Sequence, residues 1–163
     1  MNSVYLSIGG NLGNRIENLA IARSFIKDEV GSIVMSSSVY ETGSWGIKSQ
    51  PDFLNQVLLV KTKLSPHKIM QLILSIENKM GRIRTYKNAS RIIDIDILFF
   101  NDEIINLPNL TIPHPELQNR KFVLTPLNEI AADLIHPVFN QSMRNLLSTS
   151  KDMLEVRLLS KSS

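Results

Sequence analysis

The sequence predicts an α+β sandwich of the ferredoxin-like kind, in the order β-α-β-β-α-β, with helical and strand additions after it. Three observations carry this. Four stretches are rich in strand-forming apolar residues; two others repeat apolar residues at helical spacing; each helical stretch opens on a capping residue and closes on a glycine. With 163 residues, 43% of them hydrophobic and 20% charged, the chain has the size and composition of one globular domain covering 1–163.

Val4, Leu6 and Ile8 alternate with polar or amphipathic neighbours and make the first strand. Gly9-Gly10-Asn11-Leu12-Gly13 reads as the turn that follows it. Asn14 with Glu17 three residues later is a helix-capping pair, and Ile16, Leu19, Ala20 and Ile26 continue at helical spacing until Gly31. Residues 33–42 read as the second strand and 55–64 as the third, joined by a long loop, 43–53, that carries Trp45, Pro51 and Asp52. Ser65-Pro66 opens the next helix with a serine cap and a proline in the first turn. Its apolar stripe is Ile69, Leu72, Ile73, Ile76 and Met80, and Gly81 ends it. The fourth strand is Ile92-Ile93-Asp94-Ile95-Asp96-Ile97-Leu98-Phe99-Phe100. A turn at Asn101-Asp102-Glu103 and a proline-bearing segment around Pro108, Pro113 and Pro115 come next. A helix over 124–134 that contains Pro126, a short helix over 142–147 and a late strand around Leu154, Val156 and Leu158 complete the chain.

Asp94 and Asp96 are the main chemical signal. Strand side chains alternate, so the two carboxylates share one face while Ile93, Ile95 and Ile97 take the other. The apolar flanks read as a central strand, where paired like charges are unfavourable unless a cation sits over them. The preceding stretch supplies cations: Lys79, Arg82, Arg84, Lys87 and Arg91, with no acidic residue between Asn78 and Ile93. Close carboxylates suit Mg²⁺ and arginines suit phosphate oxygens, so the pattern points to a Mg²⁺–polyphosphate ligand. The competing reading is a solvated face with weak surface ion pairs.

Other chemistries are excluded or carry less. The chain has no cysteine, which removes disulfides, zinc–thiolate sites and cysteine nucleophiles. A net charge of +3 is small for nucleic-acid binding. No secretion signal and no run of about 18 apolar residues appears, so a cytoplasmic, membrane-free protein is expected. The glycine-rich turn lacks the ending of a P-loop and the full dinucleotide fingerprint. Among the histidines, His67 and His136 read as surface or loop residues. His114, stiffened by Pro113 and Pro115 and followed by Arg120, is either a turn residue or a ligand contact. Phe53 beside Asn55 can stack on and hydrogen-bond a flat heterocycle, or serve as an ordinary strand start.

These residues together resemble the 6-hydroxymethyl-7,8-dihydropterin pyrophosphokinases, from Tyr5 to about Pro137. The resemblance rests on Ile8-Gly9-Gly10-Asn11-Leu12-Gly13, Tyr40-Glu41-Thr42, Gln50-Pro51-Asp52-Phe53-Leu54-Asn55, Glu77, Gly81-Arg82-Ile83-Arg84, the stretch from Arg91 to Asp96, and Pro113-His114-Pro115 with Asn119-Arg120. It implies transfer of pyrophosphate from ATP to a pterin alcohol in folate synthesis. Asp94 and Asp96 would bind two Mg²⁺ ions. Glu77, Arg82, Arg84, Arg91, His114 and Arg120 would lie at ATP, with Arg82 and Arg91 serving catalysis beside the aspartates. Thr42, Phe53, Asn55 and Phe122 would form the pterin pocket. ATP and 6-hydroxymethyl-7,8-dihydropterin are the implied partners, with the chain acting as a monomer.

The chain departs from the family pattern in places. Asn88-Ala89-Ser90 stands where an aromatic-Gly-Pro often precedes the arginine matched by Arg91. Gly43-Ser44 replaces a frequent proline turn, and Pro115 stands where Tyr is common. Residues 83–90 are expected to form a lid over bound Mg·ATP. Two other functions fit the predicted topology: an RNA-binding module using the basic loop, disfavoured by 6% aromatic content and the acidic strand, and an ATP sensor without turnover.

Overall fold

A computed structural model describes residues 1–43, 50–82 and 90–160. The elements are β1 (Asn2–Gly10), α1 (Arg15–Glu29), β2 (Ser32–Ser36), β3 (Val39–Thr42), β4 (Phe53–Thr62), α2 (Pro66–Lys79) and β5 (Asp94–Phe100). They continue with β6 (Ile105–Leu107), β7 (Leu110–Ile112), a 3-10 turn (Leu117–Asn119), α3 (Lys121–Ala131), α4 (Met143–Ser148) and β8 (Val156–Ser160).

The predicted caps form. Asn14 Oδ1 accepts from the Glu17 amide at 3.1 Å and Ser65 Oγ from the Lys68 amide at 3.2 Å, which satisfies donors that have no partner within the helix. Gly81 ends α2 at φ +85°, and the next amide, Arg82, donates back to Glu77 O at 3.1 Å. That turn sets Arg82 down beside Glu77.

The main sheet runs β5-β1-β4-β3-β8, and β2 also pairs with β4. With β2 and β3 taken as the two halves of the second strand, this is the antiparallel order of the predicted ferredoxin-like sandwich, extended by β8. α1 and α2 cover one face, packing Leu19, Ile26, Ile73 and Ile76 on Leu6, Ile8 and Ile95. α3 and α4 cover the other, packing Leu124, Leu127 and Met143 on Val57 and Leu98. Both faces are therefore apolar over most of their area. The exception is the end where β5 begins, and the polar site lies there.

Several expectations are corrected. The segment 33–42 is two strands, because Ser37 and Ser38 use side chains in place of a regular ladder. Ser37 Oγ accepts from the Val57 amide at 2.9 Å, while the Ser38 amide and hydroxyl donate to the two oxygens of Glu129, each at 2.9 Å. β1 runs through Gly10 rather than turning at Gly9, since Gly9 pairs with both Asn55 and Asp94. β4 begins at Phe53, two residues before the expected start. α3 begins at Lys121 and tolerates Pro126. The proline-bearing segment contains a hairpin, with Ile105 opposite Ile112, that no alternation announced.

The Asp-x-Asp strand is at the sheet edge, not its centre. It is apolar because helices cover both of its faces. Its edge is partly closed by the Glu77 carboxylate, which accepts from the Ile95 amide at 2.8 Å, and by the His114 amide, which donates to Leu98 O at 3.0 Å. Most of the 43–53 loop and of the 83–90 segment, with Arg84, lies outside the described residues.

Candidate active site

Two cavities meet at Asp94. The first, of about 230 Å³, lies over the ends of β1, β3 and β4 and the start of α3; Thr42, Phe53, Asn55, Phe122, Arg91 and Arg120 line it. The second, of about 330 Å³, lies between α2, β5 and the β6–β7 hairpin and takes Glu77, Arg82, Asp96, Thr111 and His114 into its wall. Asp94 belongs to both.

The first cavity combines flat apolar walls with polar groups at its floor. Register places Thr42 opposite Phe53, and Asn55 between Tyr40 of β3 and Gly9 of β1. Asn55 is buried, and so is Thr42, whose hydroxyl has no hydrogen-bond partner among the described residues. Leaving a buried hydroxyl unsatisfied costs about 1–3 kcal/mol. A cavity that holds such a group fits a ligand carrying a polar edge. Arginines face the rings: Arg91 stands 5.4 Å from the Phe53 centroid and Arg120 stands 5.6 Å from that of Phe122.

The second cavity is organised around carboxylates. Arg82 Nη1 donates to Glu77 Oε2 at 2.8 Å and to Asp94 Oδ1 at 2.6 Å, and Arg91 Nη1 reaches Asp94 Oδ2 at 3.5 Å. Burial works against the Arg82 cation, but Asp94 and Glu77 more than offset it and hold its pKa above the ordinary value. Burial, and then the neighbouring Asp94 charge, push the Asp96 carboxyl well up, against the pull of Arg120. A cation placed beside it would favour its charged form.

His114 Nε2 lies 3.9 Å from Asp96 Oδ2. Burial, and then the Arg120 cation, lower His114 to about 4, so the ring is neutral near pH 7 and the contact is not an ion pair. Its Nδ1 accepts from the Glu116 amide at 3.1 Å, which leaves the proton on Nε2, turned to the site as a donor.

Of the sequence-predicted site residues, Arg82, Arg91, Asp94, Asp96, His114 and Arg120 gather around the junction of the cavities. Thr42, Phe53, Asn55 and Phe122 line the first cavity. Glu77 is 1% exposed and its Oε2 is turned to Arg82 and the Ile95 amide, beneath the site. The glycine-rich segment cradles nothing with its Asn11 and Leu12 amides, which both donate to Arg91 O at 2.9 and 3.2 Å. Sequence reasoning missed Glu116 and Leu154 in the first cavity and Thr111 in the second, and it quoted Asn119 of the first cavity without giving it a role. It also gave no role to Asn11, whose one available signal was a polar residue inside a motif otherwise made of glycine and leucine.

The sandwich thus carries two unlike cavities that meet at an acidic strand end. The chain belongs to the 7,8-dihydro-6-hydroxymethylpterin-pyrophosphokinase family, whose model matches residues 5–132. It is 40% identical over 144 residues to the 2-amino-4-hydroxy-6-hydroxymethyldihydropteridine pyrophosphokinase of Aquifex aeolicus, covering 88% of this chain and 89% of that one. The Haemophilus influenzae protein of the same name is 40% identical over 138 residues, covering 84% and 86%. The folic acid synthesis protein FOL1 of Dictyostelium discoideum is 42% identical over 140 residues; the match covers 85% of this chain but only 21% of that longer protein. Among solved structures, a Plasmodium falciparum HPPK-DHPS crystallised with pteroate superposes with a TM-score of 0.77 at 20% identity, over 90% of this chain and 44% of that one. That likeness concerns the fold.

Proposed function

We propose that this chain transfers the pyrophosphoryl group of ATP to the hydroxymethyl group of 6-hydroxymethyl-7,8-dihydropterin, releasing AMP, as a step of folate synthesis. The observation that carries this reading is Asp94 shared by an aromatic, polar-floored cavity, which Arg91 and Arg120 also line, and a second cavity walled by Glu77, Arg82, Asp96 and His114. The first suits a pterin and the second a nucleotide triphosphate.

The pterin ring stacks between Phe53 and Phe122. Its polar edge meets the Asn55 amide and the Thr42 hydroxyl, which gains a partner where it has none among the described residues. Arg82, Arg91 and Arg120, with the His114 Nε2–H, face the phosphates. Arg84 belongs to this group by the resemblance alone. The attacking hydroxyl forms a bond to the β-phosphorus, the bond from that phosphorus to the α-phosphate bridging oxygen breaks, and the hydroxyl proton is released. Charge in this transition state lies on phosphate oxygens, so preset cations supply the stabilisation and no protein nucleophile is needed.

The donor set fits Mg²⁺. Asp94 and Asp96 offer hard carboxylate oxygens on one strand face, and burial and then the neighbouring Asp94 charge hold the Asp96 carboxyl above its ordinary range, which a bound cation would relieve. They would hold two ions, which supply charge neutralisation on the phosphates and orientation of the hydroxyl. Glu77 acts beneath them by holding Arg82. Action as a monomer in the cytoplasm belongs to the same reading. Among the described residues no helix is long and apolar enough to cross a membrane. The RNA-binding alternative is not favoured, because Phe53 and Phe122 line a cavity and helices cover both sheet faces.

The test mixes protein, Mg·ATP and the hydroxymethyl-dihydropterin and measures AMP. AMP formed only when the pterin is present supports the reading. ATP binding without AMP release would leave the sensor function instead.

A further inference from the structure

Asn11 lies one residue beyond the end of β1 and is 1% exposed. Its amide spans three segments. Nδ2 donates to Pro51 O at 3.0 Å and to Ser90 Oγ at 3.2 Å, and Oδ1 accepts from the Arg91 amide at 2.8 Å. The Asn11 backbone amide donates to Arg91 O at 2.9 Å, so both polar groups of the Arg91 backbone are held by one residue. Gly10 makes the approach possible, because a Cβ there would collide with the Ile92 carbonyl oxygen.

The two ends of this clip lead to different cavities. Pro51 is two residues before Phe53, and Arg15 holds the intervening Asp52 carbonyl at 3.0 Å, so the segment has little freedom to move apart from Phe53. Arg91 carries the guanidinium that faces Asp94 and the Phe53 ring. A buried asparagine is commonly a plain loop staple. Here the groups it staples are the approach to the aromatic wall and the backbone of the arginine at the acidic strand.

We infer that Asn11 is a positioning residue that couples the two cavities: through it, the seating of a heterocycle against Phe53 and the placement of Arg91 at the phosphates depend on each other. The inference rests on the pterin and ATP assignments above. It requires an amide. A carboxylate of the same shape still accepts from the Arg91 amide but cannot donate to the Pro51 carbonyl, so Asn11→Asp cuts the connection while leaving Arg91 its acceptor.

The experiment measures the affinity for the hydroxymethyl-dihydropterin alone, for Mg²⁺ with a non-hydrolysable ATP analogue alone, and for the pterin with the analogue saturating. Wild-type protein is expected to bind the pterin at least about fivefold more tightly when the analogue is present, the lower end of ordinary coupling between sites. Asn11→Asp is expected to keep each separate affinity within about threefold and to lose most of that factor. Its kcat should fall while KM for ATP stays in place. Ser90→Ala, which removes one of the three bonds, should give an intermediate factor and carries the test if Asn11→Asp does not fold. Wild-type coupling retained in Asn11→Asp, or in Ser90→Ala where that variant carries the test, overturns the inference, and so does its absence in wild type. In those cases AMP release by wild type leaves the functional reading standing. No AMP from wild-type protein overturns both.

Discussion

Truncating Glu77 separates support of the site from contact with the nucleotide. The Glu77 side chain is 2% exposed, and its Oε2 accepts from Arg82 Nη1 and from the Ile95 amide, both at 2.8 Å. In Glu77→Ala the Ile95 amide loses its acceptor in a buried place, which costs about 1–3 kcal/mol. The Arg82 guanidinium, 12% exposed, loses one of its two carboxylates but keeps Asp94. Removing a partner from a buried ion pair costs about 3–5 kcal/mol, and the surviving Asp94 bond places this case at or below the lower end. Together the loss is about 3–5 kcal/mol, or roughly 10 °C in Tm for a chain of this size. Glu77→Gln keeps an oxygen for both bonds and loses only their ionic character, so it should cost about 1–2 kcal/mol. Urea denaturation of the ligand-free protein gives the stabilities, and calorimetric titration with Mg·ATP gives the affinities. Glu77→Ala with wild-type stability and a large loss of ATP affinity would refute the supporting role and make Glu77 a direct nucleotide ligand.

Asp94→Ala and Asp96→Ala should each lower turnover by at least about 100-fold while the fold persists, as for loss of a group acting on transition-state charge; normal AMP release at saturating Mg²⁺ would remove both from the site. Asn55→Ala should weaken pterin binding by about 1–3 kcal/mol and ATP binding much less, measured by separate titrations; equal losses would indicate a folding defect. Because the folded Asp96 carboxyl holds its proton more tightly than an unfolded one, its relative contribution to stability is greatest in acid and is lost as pH rises through its raised pKa. Metal-free Asp96→Asn should therefore melt above wild type at pH 8.5 and by a clearly smaller margin at pH 5, and the same difference at both would contradict the raised carboxyl. Burial that holds His114 near 4 predicts no histidine-like step in ATP affinity between pH 6 and 7.5, as read by calorimetry across that range.

What the sequence carried was local or periodic. Capping pairs such as Asn14 with Glu17, the stop at Gly81 and the stripe of α2 are set by neighbours within a turn or two. The common face of Asp94 and Asp96 follows from strand alternation alone. The family motif added the pairing of Phe53 with Phe122 and the placing of His114 with Arg82 and Arg91 at one ligand, which lie far apart in the chain and share no periodicity. The break at Ser37 and Ser38 was not legible, since serines in a strand give no sign of the Glu129 carboxylate that waits 91 residues away.

The α+β order, the acidic strand and its basic surroundings are legible along the chain, because each is written in contiguous residues. Folding alone makes this strand an edge, sets Glu77 against it beneath Asp94, and brings Asn11 between Pro51 and Arg91. Each of these depends on which distant backbone donors and acceptors are left over once the sheet has formed. Burial obliges every such group to find a partner, and the one it finds is chosen by proximity in space, not along the chain.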